Sequence, residues 1–562
     1  MAKMSAGYAV AESLAQLGVR NVIGMAGSCL VEILDGMYGR EDLGFVTVRH
    51  EQSGALMASA HGRLTGSPGV CMATNGPGAT NLITGVAHAK LAQSPVVVIT
   101  GAPMTKDMFY ESTQEIDHLA MFAPVVKRTI QVRKAGQTAN LVREAYHTAI
   151  SGVPGPVHLD IPRDIMLEDV DVPRLNSRGS DDLPRAGADP ARLAEAAELL
   201  KKAARPLILA GGGVIWAEAT DDLIALAEAL GAPIMTSTGR DDVVPTAHPL
   251  FLGSIGRGTI PEAGALFKEA DVVLAVGTRL AHSTTFLRDT FLGEGTKLIH
   301  AAHDQKSVER HYPAEVGLIG DSGLVLQGLL ALTGDNSSAA EGSGSDWKRR
   351  ADEVMAAQSA HREKGLTYGA KPIDPRRAQM ALAKVIPQNA IITLDAGSAA
   401  GYVYEYHQFD RPRSFLAPQD LAAIGIGYPL GLGAKLACPD RPVVTISGDG
   451  AFLFNGAELE TAVREKLNTV TIILNNHNLG SERAYQNHFY NERYIGDAIG
   501  NPRFDDYARA FGAVGYRVED PSELEDVYSE ALKQNKPVLV DVIIDADIYP
   551  EPRRKDAVKQ RG

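Results

Sequence analysis

The chain has 562 residues, 45% of them hydrophobic and 22% charged, with a formal net charge of -13. On a prior of about 150 residues per domain this is material for several cores, and the acidic balance excludes nucleic acid or an anionic membrane as the main partner. Three scattered cysteines, Cys29, Cys71 and Cys438, make neither a CxxC pair nor a disulfide framework, which points to a reducing, cytoplasmic compartment.

The opening "MAKMSAGYAVAESLAQLG" reads as an amphipathic helix rather than a signal peptide, and no run approaches the roughly 18 apolar residues of a membrane span. Short apolar runs ("NVIGM", "PGVCMAT", "PVVVITG") then alternate with helical patterns, the mark of βαβ units, and define a first block over 1–168. After the polar "NSRGSDDLPRAGADP", the pattern restarts with "RPLILAGGG" and "ADVVLAVGTR" in a second block over 190–335. The Gly- and Ser-rich "TGDNSSAAEGSGSD" reads as a linker. A third block over 370–546 has strands at "AIITLD", "PVVTIS", "TVTIILNN" and "PVLVDVII", and 547–562 reads as a tail lying over a surface. The expected fold class is α/β, with three doubly wound parallel-sheet domains.

One stretch of the third block carries polar residues at both ends of an apolar strand-helix-strand unit. "GDG" at Gly448, Asp449 and Gly450 follows one β-rich run, Asn475 and Asn476 end the next, and Asn455 and Glu458 stand at capping-box spacing ahead of a helix. A right-handed crossover brings the two strand ends to the same sheet edge, so Asp449 meets the asparagine pair. An acid, amide oxygens and backbone carbonyls are hard ligands, suited to Mg²⁺ or Ca²⁺. A GDG alone is a common tight turn; the NN doublet after the next strand sets this one apart.

GDG, 24 residues and NN together resemble the diphosphate and metal motif of thiamine-diphosphate (ThDP) enzymes, and other segments match that superfamily in order along essentially the whole chain. The resemblance implies ThDP and Mg²⁺ as cofactors. It assigns the metal to Asp449, Asn476 and the backbone oxygen of Asn478, with Gly448, Gly450 and Ala451 beside the diphosphate and Gly397 and Ser398 of "DAGSAA" nearby. In "AAIGIGYPLGLGAKLA", Ile424 takes the place of the residue that bends the cofactor into its V shape, and the carbonyl of Ala422 faces the aminopyrimidine. "VRHEQSGALMASAHGRLTG" and "GVCMATNGPGATNLITGVAHA" resemble the pyrimidine-binding domain of acetolactate-synthase-type enzymes. There the glutamate, here Glu51, favours the tautomer that takes the C2 proton, and the resulting ylid forms a covalent acyl or enamine adduct. The resemblance further implies a homodimer or homotetramer with ThDP at the subunit interface, and a central domain that in some relatives holds FAD or ADP; three glycines in "LAGGG" are slender support for that nucleotide.

Substrate contacts are expected from loops at strand ends. Ser28 and Cys29 come from "MAGSCLVEI", Asn75 (read as a cofactor contact) from "TNGPGATN", and Gln114 and His118 from "YESTQEIDHLAMF", the last two as catalytic candidates. Glu482, six residues past Asn476, resembles a catalytic carboxylate in some decarboxylases and in sulfoacetaldehyde acetyltransferase. Arg553 and Arg554 in the tail "PEPRRKDAVK" resemble that enzyme's ending and suit phosphate or sulfonate recognition by a closing lid. The leading expectation is therefore conversion of sulfoacetaldehyde and phosphate to acetyl phosphate and sulfite. The alternatives are acetolactate-synthase-like decarboxylation with carboligation, or a 2-hydroxyacyl-CoA lyase or oxalyl-CoA decarboxylase activity; outside catalysis, a silent regulatory homologue.

Overall fold

Each block folds its apolar runs into a six-stranded, wholly parallel sheet. The computed structural model describes residues 3–171, 184–334, 343–369, 371–418 and 421–550. Strands such as Val96–Ala102 and Val470–Asn475 are buried at every position, because helices cover both sheet faces. No helix among the described residues is long and apolar enough to cross a membrane.

With the strands of each sheet counted from its own first strand, the first and third sheets share the order 2-1-3-4-6-5, and the central sheet runs 3-2-1-4-5-6. In the outer domains the winding reverses between strands 1 and 3. In open α/β sheets that crevice, at the carboxyl ends of the strands, is where ligands bind. The reversal lies between Asn21–Gly24 and Gly69–Ala73 in the first domain, and between Ile391–Leu394 and Val443–Gly448 in the third.

The outer domains pack on each other through the helices Glu51–Thr65 and Gly427–Ala437. The helices cross so closely that a Cβ on Gly433 would stand 2.4 Å from the Met57 carbonyl oxygen. Leu56, Ala60, Ile426 and Leu430 fill the same buried cluster. Polar staples reinforce the contact: Glu458 accepts the backbone N–H of Arg49 (3.0 Å) and of His50 (3.0 Å), and Ser53 donates to Asn455 at 3.1 Å.

Those staples correct one expectation. Asn455 and Glu458 do not form a capping box: Asn455 ends a separate helix that starts at Asp449, a 3₁₀ turn over Gly456–Glu458 follows, and the expected helix, Leu459–Arg464, has no side-chain cap. Asn455 instead donates to the Gly425 carbonyl (2.6 Å), and Glu458 reaches into the first domain. A second difference is the helix Ser343–Gly365, which occupies much of the stretch left between the second and third blocks. Trp347, Ala351 and Val354 seat it on the central domain, with the Trp347 indole donating to the Pro206 carbonyl at 2.9 Å. Their i, i+4, i+7 spacing is a helical stripe that the adjoining Gly/Ser-rich run obscures.

Candidate active site

In the third domain the two ends of the Gly448–Asn476 stretch meet. Strands Val443–Gly448 and Val470–Asn475 are adjacent, with Gly448 opposite Leu474, so Asp449 emerges beside Asn475. Asp449 is buried; burial pushes its carboxyl above the ordinary value, and hydrogen bonds from Gly450, Asn501 and His477 offset this only in part. Asn476 turns its side-chain oxygen onto the Asn478 N–H at 3.0 Å. A Cβ on Gly480 would stand 2.5 Å from Ser398 Oγ and 3.3 Å from Asn476 Nδ2, which brings the Gly397–Ser398 loop against the asparagine pair. The site is rich in oxygen acceptors, and Asn501 Oδ1 is buried with no hydrogen-bond partner. No group of three His, Cys, Asp or Glu side chains among the described residues can hold an ion alone. A cation at Asp449 fits only with amide, carbonyl and ligand oxygens completing its shell, the chemistry of a hard divalent ion bound with a diphosphate.

Sequence reasoning passed over Asp395, which organises the neighbouring loop. It follows strand 1 and accepts from the N–H of Ala396 (2.8 Å), Gly425 (2.9 Å) and Gly427 (2.9 Å) and from Ser447 Oγ (3.2 Å). Burial nevertheless pushes it up to about 6. The loop it gathers holds Ala422, at the positive φ of 51°, and the half-buried Ile424. A non-glycine residue held at positive φ is strained backbone of the kind found at ligand clamps.

The first domain presents Glu51 at the start of its helix, buried, with Oε2 accepting from Asn81 Nδ2 at 2.9 Å. Asn81 was not singled out in the sequence; it lies on the helix Pro77–Leu91 that follows "TNGPGATN". Asn75 is buried and donates to the carbonyls of Thr113 and Gln114, both at 3.3 Å. Gln114 thus contributes its backbone here, while its side chain is exposed. His118 is buried, with Nε2 accepting the Gly76 N–H (3.1 Å) and Nδ1 on Asp160 (2.9 Å). Both ring nitrogens are occupied, and His118 braces the Asn75–Gly76 turn. Ser28 is exposed and Cys29 half-buried against Gly101.

The remaining expected residues are not joined to these clusters by any hydrogen bond among the described residues. Glu482 is exposed in the first turn of the helix Gly480–Phe489. Arg553 and Arg554 lie outside the described residues. The central domain carries a cavity of about 610 Å³ at its own reversal point, lined by Gly213, Gly277, Thr278, Arg279, Asp321 and Arg413 among others. Its glycines also serve packing, since a Cβ on Gly213 would meet Gly277 Cα at 2.6 Å.

Comparison with known proteins agrees with this division. Residues 4–121 match the thiamine pyrophosphate enzyme N-terminal TPP binding domain, 193–329 the central domain, and 395–542 the C-terminal TPP binding domain. Similar proteins include a probable acetolactate synthase large subunit of Methanocaldococcus jannaschii (34% identical over 554 residues, 96% of this chain and 92% of that protein). The acetolactate synthase isozyme 3 large subunit of Escherichia coli is 32% identical over 562 residues (98% and 97%), and the acetolactate synthase large subunit of Haemophilus influenzae 30% over 571 (100% and 98%). With three matched domains in order and relatives collinear along nearly its whole length, the chain belongs to the thiamine-diphosphate-dependent enzymes, related to acetolactate synthase large subunits.

Proposed function

We propose that the protein is an acetolactate-synthase-like decarboxylase and carboligase that joins two 2-oxo acid molecules with loss of CO₂, using ThDP and Mg²⁺. The observation that carries this reading is the collinear similarity to acetolactate synthase large subunits over 96% of the chain. The acetyltransferase expectation rests on short segments such as "GSC", "QEIDHLAMF" and the tail "PEPRRKDAVK", whereas the similarity to acetolactate synthase large subunits runs along nearly the whole chain. Bound ThDP supplies a carbanion nucleophile and an electron sink for breaking the bond next to a carbonyl. Glu51, held through Oε2 by Asn81, would be the group that donates or accepts a proton at the cofactor's pyrimidine ring. Asp449, Asn476 and the Asn478 carbonyl hold the metal; Ile424 and the loop gathered by Asp395 shape the cofactor's seat. A second copy of the chain completes the site, and Phe109, Tyr110 and Phe454, exposed large apolar side chains of the outer domains, give that copy a surface to cover.

Incubation with pyruvate, ThDP and Mg²⁺ should release CO₂ and form 2-acetolactate. Formation of sulfite and acetyl phosphate from sulfoacetaldehyde and phosphate, with pyruvate left unconsumed, would overturn this reading in favour of acetyl transfer.

A further inference from the structure

The metal reading uses Asn476 and leaves Asn475, the first half of the doublet, without a task. Asn475 is fully buried, and its Nδ2 donates to Asp541 Oδ1 at 2.9 Å. Asp541, also fully buried, takes Arg517 on its other oxygen at 2.7 Å. Asn475 Oδ1 accepts from Asn501 Nδ2 at 3.2 Å and from the His477 N–H at 3.3 Å, and the same Asn501 nitrogen donates to Asp449 Oδ2 at 2.7 Å. These groups form a continuous polar chain across the carboxyl edge of the sheet, from strand Val514–Val518 through Val538–Ile543 and Val470–Asn475 to the residue after Val443–Gly448.

The direction of every link is fixed by chemistry. Arg517 can only donate, so Asp541 accepts; Asp541 therefore receives the Asn475 amide nitrogen and turns the Asn475 oxygen toward Asn501. With an amide oxygen on one side and a carboxylate on the other, Asn501 presents its nitrogen to both. Oδ2 of Asp449 is thereby occupied, and the carboxylate also receives the backbone N–H groups of Gly450 and His477, so an ion meets it through one oxygen rather than two. The distinction matters for ion choice. Mg²⁺ takes single carboxylate oxygens in a tight octahedron, whereas Ca²⁺ accepts more ligands and bidentate carboxylates.

We propose that the Arg517–Asp541–Asn475–Asn501 relay holds Asp449 as a one-oxygen ligand and so sets the site's preference for a small divalent cation over Ca²⁺. The inference rests on the metal-site reading above. Asn475 and Asn501 are positioning residues: neither need touch the ion. A merely structural relay would affect stability and leave ion choice alone.

The test is calorimetric titration of ThDP into full-length protein freed of cofactor and metal, with Mg²⁺ or Ca²⁺ present, for the wild type, Asn501→Ala and Asn501→Ser. Position 501 is part-exposed, so the shorter side chains should leave folding intact, which a melting curve checks. Mg²⁺-supported affinity should drop on the order of tenfold in both variants while Ca²⁺-supported affinity changes less, so that the Mg²⁺/Ca²⁺ ratio falls several-fold. Metal-dependent ThDP binding in the wild type with an unchanged ratio in the folded variants overturns the relay alone. Wild-type binding that needs no divalent ion overturns the metal site itself, and the relay with it.

Discussion

The first and third domains share a strand order, yet equivalent positions do different work. The helix after strand 2 opens with the buried Glu51 in the first domain and with Gly427, packed beneath the Asp395 loop, in the third. The turn after strand 3 is the neutral Thr74–Gly76 in the first domain and Gly448–Asp449 in the third. One scaffold delivers strand ends to a crevice twice, and in the proposed function the residue placed there sets whether that end moves a proton or holds an anion and its metal. The two acids nevertheless share a device: an asparagine amide fixes one oxygen of each, Asn81 on Glu51 and Asn501 on Asp449. Tying down one oxygen with an amide fixes the carboxylate's orientation at no cost in charge.

If the division of labour holds, the two acids fail in different ways. Glu51→Gln should slow exchange of the ThDP C2 proton by about 10²- to 10⁴-fold, the range for loss of a general acid–base group, with ThDP affinity changed only a few-fold. Hydrogen–deuterium exchange followed by NMR reads the rate and calorimetry the affinity; a variant that loses binding instead would place Glu51 in the holding half. Asp449→Ala should do the reverse. Metal-dependent ThDP affinity should fall on the order of 100-fold, while exchange measured at saturating cofactor and Mg²⁺ recovers to within about tenfold of wild type. Exchange still abolished at saturation would mean that the two ends do not divide the work.

How much of this could be read beforehand depends on distance along the chain. Apolar runs at regular spacing determined the three parallel sheets, because burial on both faces writes itself into consecutive residues. Asp449 and the asparagine pair were legible because a crossover between neighbouring strands has a fixed hand. Glu458 was misread for the opposite reason: its partners, the N–H groups of Arg49 and His50, lie some 400 residues away and leave no local mark, whereas the capping-box spacing with Asn455 is a local mark without content here. Asn501 was invisible likewise, and the partner of Asp541 was too, since each is fixed only by what lies across the sheet. The strand acid did carry a clue, because a charge in a run such as "VLVDVII" needs a partner.

The smallest contrast is between two buried groups, one in each outer domain, in their response to acid. In the first domain His158 is fully buried, stacked on Phe122 with centroids 4.0 Å apart and hydrogen-bonded to Thr100 and Thr129, and burial pushes it down to about 4. An unfolded histidine titrates near 6.5, so between 6.5 and 4 the unfolded chain binds more protons; the stabilisation is complete above 6.5 and is lost as pH falls. Asp395 in the third domain has the opposite sign. Its folded value of about 6 lies above the unfolded carboxylate value, so the native state binds more protons and the cost of its buried charge is relieved as pH falls below 6. From pH 7 to pH 5 the first effect removes about 2 kcal/mol and the second returns about 1 kcal/mol. His88 and His407, pushed by burial down to about 3 and about 4, add to the acid loss in the background, so each variant is judged against the wild type. Denaturant melts at the two pH values should show a shallower fall for His158→Gln and a steeper one for Asp395→Asn. Changes of the same sign in both variants would mean that one of these groups is not held in the charge state its burial dictates.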